Sequence, residues 1–167
     1  LSRRQRQMCI RDSIGFDGMV EVAIFADILT LKEALEFDRN IKTESDFQLT
    51  SCCCPMWIGM IRKIYHQLMR HVPGAVSPMI ACGRTIKKLH PGAVTIFVGP
   101  CIAKKAEARE KDLQGAIDYV LTFEEMQDIF DALRIKPESM RDRKREHSSK
   151  ARRIYARTGG VSQAVQS

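Results

Sequence analysis

Ala93-Val94-Thr95-Ile96-Phe97-Val98 runs directly into Gly99-Pro100-Cys101. An unbroken apolar and β-branched run of this length, closed by Gly-Pro, reads as a strand buried on both faces, as in parallel sheets. Upstream, Ser77-Pro78 opens a helix, with serine as cap and proline at the first helical position. That helix runs to about Leu89 and stops at His90-Pro91-Gly92. Downstream, Ala116 to Leu121 reads as another strand. Thr122-x-x-Glu125 is a capping box for a helix over 123–133 that carries Phe123, Met126, Ile129, Phe130 and Leu133. Alternating strands and helices define an α/β class, with mainly parallel sheets flanked by helices.

The same reading extends toward the N-terminus. Residues 1–13 are polar and patternless, and stand outside the fold as a leader or fragment-end scar. Gly15 to Gly18 is a turn, and Val20 to Phe25 alternates as a strand would. Thr30-x-x-Glu33 reads as a capping box for a helix with Leu31, Ala34, Leu35 and Phe37 on its apolar face. A polar turn over 39–46 leads to a short strand from Phe47 to Thr50. Pro55 begins a helix to about residue 70, on the spacing of Trp57, Ile58, Ile61, Ile64, Tyr65 and Leu68. Toward the C-terminus, Lys136 to Lys150 is a charged connection, and Thr158-Gly159-Gly160 leads into a helix starting near Val161.

The chain has 167 residues, enough for one ordinary domain, with 44% hydrophobic and 28% charged residues. No apolar run approaches the roughly 20 residues that span a bilayer, and the start has no secretory core segment. The six cysteines are Cys9, Cys52, Cys53, Cys54, Cys82 and Cys101. Adjacent cysteines pair poorly with each other, so a reducing cytoplasm is the expected compartment. The formal charge is +7. Its bases gather near Arg3–Arg11 and Arg141–Arg153, mixed with acids and without interleaved aromatics, which argues against a nucleic-acid partner.

Chemistry concentrates at two places. Thr50-Ser51-Cys52-Cys53-Cys54-Pro55-Met56-Trp57 puts thiols at a helix start, where negative charge is favoured, and soft thiolates select soft metal centres. Cys101 follows the apolar strand, with Lys104 one turn further on. Ligands of open parallel sheets sit beyond the carboxyl ends of strands, so the two sites are expected to share one crevice. A lysine there offsets the charge of a thiolate-bound group. Cys82, Trp57 and the nearby methionines read as core. His66, His71, His90 and His147 share no ligand spacing.

These two segments resemble the signatures of iron-only (FeFe) hydrogenases. Residues 50–57 are similar to T-S-C-C-P-x-W with one cysteine added, and Gly99 to Glu107 is similar to M-P-C-x-x-K-K-x-E. Ser77-Pro78 and Thr158-Gly159-Gly160-Val161 extend the likeness from about Gly15 to the end, so residues 14–167 are expected to form the N-terminal part of that catalytic domain. The family's third signature, E-x-M-x-C-x-G-G-C, is absent, which implies a fragment of about half the domain, inactive by itself.

The resemblance implies a 4Fe-4S cluster joined to a two-iron carbon monoxide and cyanide centre, with Cys54 and Cys101 as metal ligands. It implies Cys53 as the proton-carrying thiol, Lys104 as a donor to a cyanide, and Ser77 and Pro78 beside the diatomic ligands. Glu33 and Glu36 would line the proton path, with Glu107 completing the second signature. The implied activity is heterolytic interconversion of H2 with protons and electrons. Ferredoxin or another electron carrier and the cluster maturation proteins are the implied partners. The alternative is a non-catalytic iron–sulfur assembly factor or hydrogen sensor. Gly99, where the family has methionine, and Pro73, where catalytic members have a serine, mark a divergent subgroup.

Overall fold

Strands β1 (Ile96–Val98) and β2 (Tyr119–Leu121) pair in parallel, with Ile96 opposite Tyr119, Phe97 opposite Val120 and Val98 opposite Leu121. The computed structural model, which describes residues 11–49 and 53–137, sets helices around this pair. They are α1 (Ala23–Asn40), α2 (Pro55–Ile64), a 3-10 helix (His66–His71), α3 (Pro78–Leu89), α4 (Ala103–Glu107) and α5 (Phe123–Ala132). The α/β class and the parallel pairing agree with the sequence expectation.

The core forms where α3 meets the sheet. Met79, Ile80, Ala116 and Ile117 are buried together, and Phe97, Val120, Val76 and Leu113 pack on them. Full burial of a side chain such as Ile80 contributes about 1.5–3 kcal/mol. Alternate strand residues face opposite ways, so Phe97 and Val120 turn inward while Ile96 and Val98 turn out and stay partly exposed. The strand is therefore shorter than Ala93–Val98 and is covered on one face only among the described residues.

Asp118 fixes the sheet's entry. Its carboxylate accepts from Thr95 N at 2.7 Å and from Lys87 Nζ at 2.7 Å, while Thr95 O accepts from the Asp118 and Tyr119 N–H groups. One side chain thus joins α3 to the starts of both strands. Hydrogen bonding from Lys87, followed by that from Thr95, holds the Asp118 carboxyl below its ordinary value.

The caps of α3 and α5 form as their sequences dictate. Ser77 Oγ accepts from Ile80 N, and Pro78 takes the first turn. Thr122 and Glu125 satisfy each other's backbone N–H groups in a full capping box. Gly92 adopts φ +88° just beyond α3, a conformation that favours glycine.

The N-terminal half departs from expectation. Val20–Phe25 is not a strand: the chain turns at Val22, and α1 begins at Ala23. Thr30-x-x-Glu33 is not a cap but lies inside α1, where Thr30 Oγ1 donates to Ala26 O at 2.9 Å. The buried stripe is Ala26, Leu29, Thr30 and Glu33, facing α3, while Leu31 and Leu35 are more than 60% exposed. Periodicity identified a helix but selected the wrong face. Phe47–Leu49 is extended without being a strand, and the helix from Pro55 ends at Ile64 before tightening into the 3-10 turn. Residues 11–14 are helical, so the segment set aside as leader, 1–13, ends inside a helical turn. Cys52, the charged segment beyond residue 137 and the Thr158-Gly159-Gly160 helix start lie outside the described residues.

Two outcomes test this packing. A Cβ on Gly83 would stand 2.2 Å from Ala116 O, a backbone atom that cannot yield cheaply. Gly83→Ala should therefore cost about 1–3 kcal/mol in denaturant unfolding. For Asp118, a depressed folded pKa adds stability that is complete above the ordinary carboxyl value of 3.8 and is lost as pH falls through the lower folded value. Asp118→Asn should lower Tm at neutral pH, and its melting curve should converge with that of the native chain as the pH falls below the ordinary carboxyl value of 3.8.

Candidate cluster-binding site

The second cysteine segment is positioned by the sheet. Gly99 N donates to Leu121 O at 3.0 Å, extending the ladder by one bond before the chain leaves at Pro100. Cys101 then starts a turn: its carbonyl accepts from Lys104 N at 3.1 Å, and α4 follows. The first segment is positioned by α2. Cys54 is the N-cap residue, its carbonyl accepts from Ile58 N at 3.0 Å, and Pro55 occupies the first turn. The positive end of α2 therefore lies at the cysteines.

Lys104 joins the two. Its Nζ donates to Cys53 O at 2.8 Å and to Glu107 Oε2 at 2.6 Å. The side chains of Lys104 and Glu107 are only 14% and 8% exposed, so the pair is strong and geometrically demanding. Helices α2 and α4 pack against each other around this contact. This contact joins the Cys53–Cys54 segment to the turn that follows Cys101, the two segments that the sequence reading expected to share a crevice. The strand expected before the cysteines does not form over Phe47–Leu49, and residues 50–52 lie outside the described residues. Lys105 bonds Glu125, tying α4 to the N-terminus of α5.

Two features of the site escaped sequence reasoning. Trp57 Nε1 is buried with no acceptor in reach, three residues after Cys54. An indole N–H normally finds a partner when buried, so the type and position of Trp57 signalled more than core. The other is Phe97. A Cβ at Gly99 would lie 2.6 Å from its ring, so the aromatic edge fills the space where a larger residue 99 would begin.

Cys54 is exposed, Cys53 and Cys101 are half-buried, and none of the four described cysteines is in a disulfide. Cys82 differs from them. It is buried in α3, and burial pushes its thiol up to about 11, as befits core packing. Soft thiols, a lysine ammonium, a helix N-terminus and an orphaned indole donor suit an anionic, thiolate-held metal group. No three histidine, cysteine or acidic side chains among the described residues gather as a metal site.

The remaining expected residues lie on α1 and α3. Glu33 is buried on α1, facing α3. Glu36 Oε1 accepts from Gly74 N at 3.0 Å and Lys32 Nζ donates to Gly74 O at 3.0 Å, so both hold the loop that leads into Ser77. Ser77 and Pro78 are buried at the start of α3. Pro73, buried beside this loop, offers no side-chain donor or acceptor.

The fold and site together define a class. The chain belongs to the iron-only hydrogenase large subunit, C-terminal domain family, which it matches over residues 3–167. It is 29% identical to iron hydrogenase 1 of Clostridium pasteurianum over 91% of this chain and 29% of that protein. It is 28% identical to the periplasmic Fe hydrogenase large subunit of Nitratidesulfovibrio vulgaris over 96% of this chain and 42% of the relative. Its fold matches the FeFe-hydrogenase HydA(deltaEFG), with TM-score 0.79 and 22% identity, over 98% of this chain and 45% of that one. A HydA1 variant from Chlamydomonas reinhardtii matches with TM-score 0.77 over the same shares. The chain thus spans less than half the length of these relatives. Among the described residues no helix is long and apolar enough to cross a membrane.

Removing the Lys104 ammonium strands the Glu107 carboxylate and frees the Cys53 carbonyl. Lys104→Met should cost about 3 kcal/mol and raise amide hydrogen exchange around Cys53–Trp57 and Cys101–Glu107 together. Exchange rising in only one of the two segments would show that Lys104 does not couple them.

Proposed function

We propose that this chain is part of the catalytic domain of an iron-only hydrogenase, which interconverts H2 with protons and electrons. The observation that supports this reading is the Lys104 bridge, which ties the Cys53 carbonyl to the helix that follows Cys101. Cys54 and Cys101 would hold the iron–sulfur-linked two-iron group, which would supply the electron-accepting and H2-binding chemistry. Cys53 would be the thiol that carries protons beside it. Lys104, held by Glu107, would supply positive charge toward an anionic group. Ser77 and Pro78 line the neighbouring wall. Glu33 and Glu36 belong to the proton path, which in this chain does not use a side chain at Pro73. The family name and the named relatives support hydrogenase chemistry.

Electrons leave to ferredoxin or another carrier, and dedicated maturation proteins install the cluster. We place the protein in the cytoplasm, on its adjacent cysteines, which suit a reducing compartment, although one relative is named periplasmic.

Cys53→Ala is the decisive variant. After anaerobic maturation, the full-length protein that contains this chain should retain its iron content and cluster spectrum in this variant but lose H2 turnover by about 100-fold or more. Unchanged turnover would contradict the proton role of Cys53. Failure of the native protein to turn over H2, with its cluster in place, would favour the assembly-factor or sensor alternative.

A further inference from the structure

A pocket of about 300 Å³ opens between the C-terminal half of α1, the 45–48 segment and the end of the 3-10 helix. Glu36, Asn40, Asp46, Gln48, Arg70 and His71 line it. His71 is fixed there three ways. Its Nδ1 lies 2.7 Å from Phe47 O, its carbonyl accepts from Leu49 N at 2.7 Å, and its ring stands 5.2 Å from that of Phe47. A carbonyl oxygen only accepts, so Nδ1 carries a hydrogen whether the ring is neutral or charged. Nε2 can therefore gain and lose a proton without breaking the bond that holds the ring.

We propose that His71 is the solvent-side proton-exchange residue that serves Glu36. The proposal rests on the hydrogenase reading above. Histidine is the side chain suited to taking and giving protons at neutral pH. Glu36 accepts from Gly74 N through one oxygen and lines the same pocket as His71. In the transfer, imidazolium Nε2–H gives its proton to the Glu36 carboxylate through pocket water, leaving neutral imidazole and a carboxylic acid. Solvent then returns a proton to Nε2. The charged groups facing this space are Glu36 from α1, Asp46 from the following turn and Arg70 from the 3-10 helix. Asp46 is anchored by the backbone N–H groups of Lys42 and Thr43, which hold its carboxyl low, so it stays an anion while the others exchange. His71 is bound to the segment that leads into the cysteines, which suits a group at the outer end of a path to Cys53.

The test has two independent readouts. In the cofactor-free chain, NMR titration of the His71 ring should show its midpoint falling by about half a pH unit in Glu36→Gln, because removing an anion disfavours imidazolium. An unmoved midpoint overturns the proposal. In the matured protein, His71→Asn keeps an N–H donor for Phe47 O but cannot titrate. Its H2 turnover should fall severalfold near neutral pH, with the limb of the pH profile between about pH 5 and 8 flattened. Fold and cluster spectrum should be unchanged. A native pH profile in His71→Asn likewise overturns the proposal. Failure of the hydrogenase reading would look different: the native protein would be inactive, while the His71–Glu36 coupling in the cofactor-free chain would persist.

Discussion

The site depends on one ammonium group. Lys104 reaches across from α4 to a backbone carbonyl at Cys53, and Glu107 holds it there from one turn along the same helix. A buried cation is expensive unless its hydrogen bonds are satisfied, so the carbonyl and carboxylate are both required to keep it in place. The consequence is structural as well as electrostatic. Two segments almost fifty residues apart are pinned together, and positive charge is stored where thiolates and a negatively charged metal group would gather. The Trp57 N–H, buried on the same helix with no acceptor among the described residues, is a further donor near the cysteines in sequence.

The rest of the fold serves that junction. The parallel pair and the Asp118 clamp fix where β1 ends, and therefore where Cys101 begins its turn. Lys105 and Glu125 carry the same positioning to α5. On the opposite side, Lys32 and Glu36 grip the peptide of Gly74 and so set the loop before Ser77. The Asp118, Lys32 and Glu36 contacts each join distant parts of the chain through a charged side chain and a backbone group. Such contacts give directional positioning that apolar packing alone does not.

Much of this was legible in the sequence where local physics decides. Ser77-Pro78 and Thr122-x-x-Glu125 specify helix starts through their own side chains, and both formed as read. Cys54-Pro55 did the same for α2. Thr30-x-x-Glu33 has the same lettering and is no cap, because the helix had already begun at Ala23 and Thr30 bonds back to Ala26. The face of α1 was misread because Leu31 and Leu35 outweigh Ala26, Thr30 and Glu33 in hydropathy, while packing on α3 favours the smaller residues. The cysteines, lysine and glutamates of the site were visible as motifs. The Lys104–Cys53 bond and the His71–Phe47 clamp were not, since each is a long-range backbone contact that no periodicity encodes.

The central claim is that Cys54 and Cys101 belong to one metal-holding site joined by Lys104. It is tested most directly by anaerobic loading of iron and sulfide into the native chain and into Cys54→Ser and Cys101→Ser, read by iron stoichiometry and electron paramagnetic resonance. The account predicts that either substitution alone lowers bound iron and alters the same spectral species, and that Cys82→Ser leaves both unchanged. Native iron content and spectrum in Cys101→Ser, alongside a loss in Cys54→Ser, would contradict it.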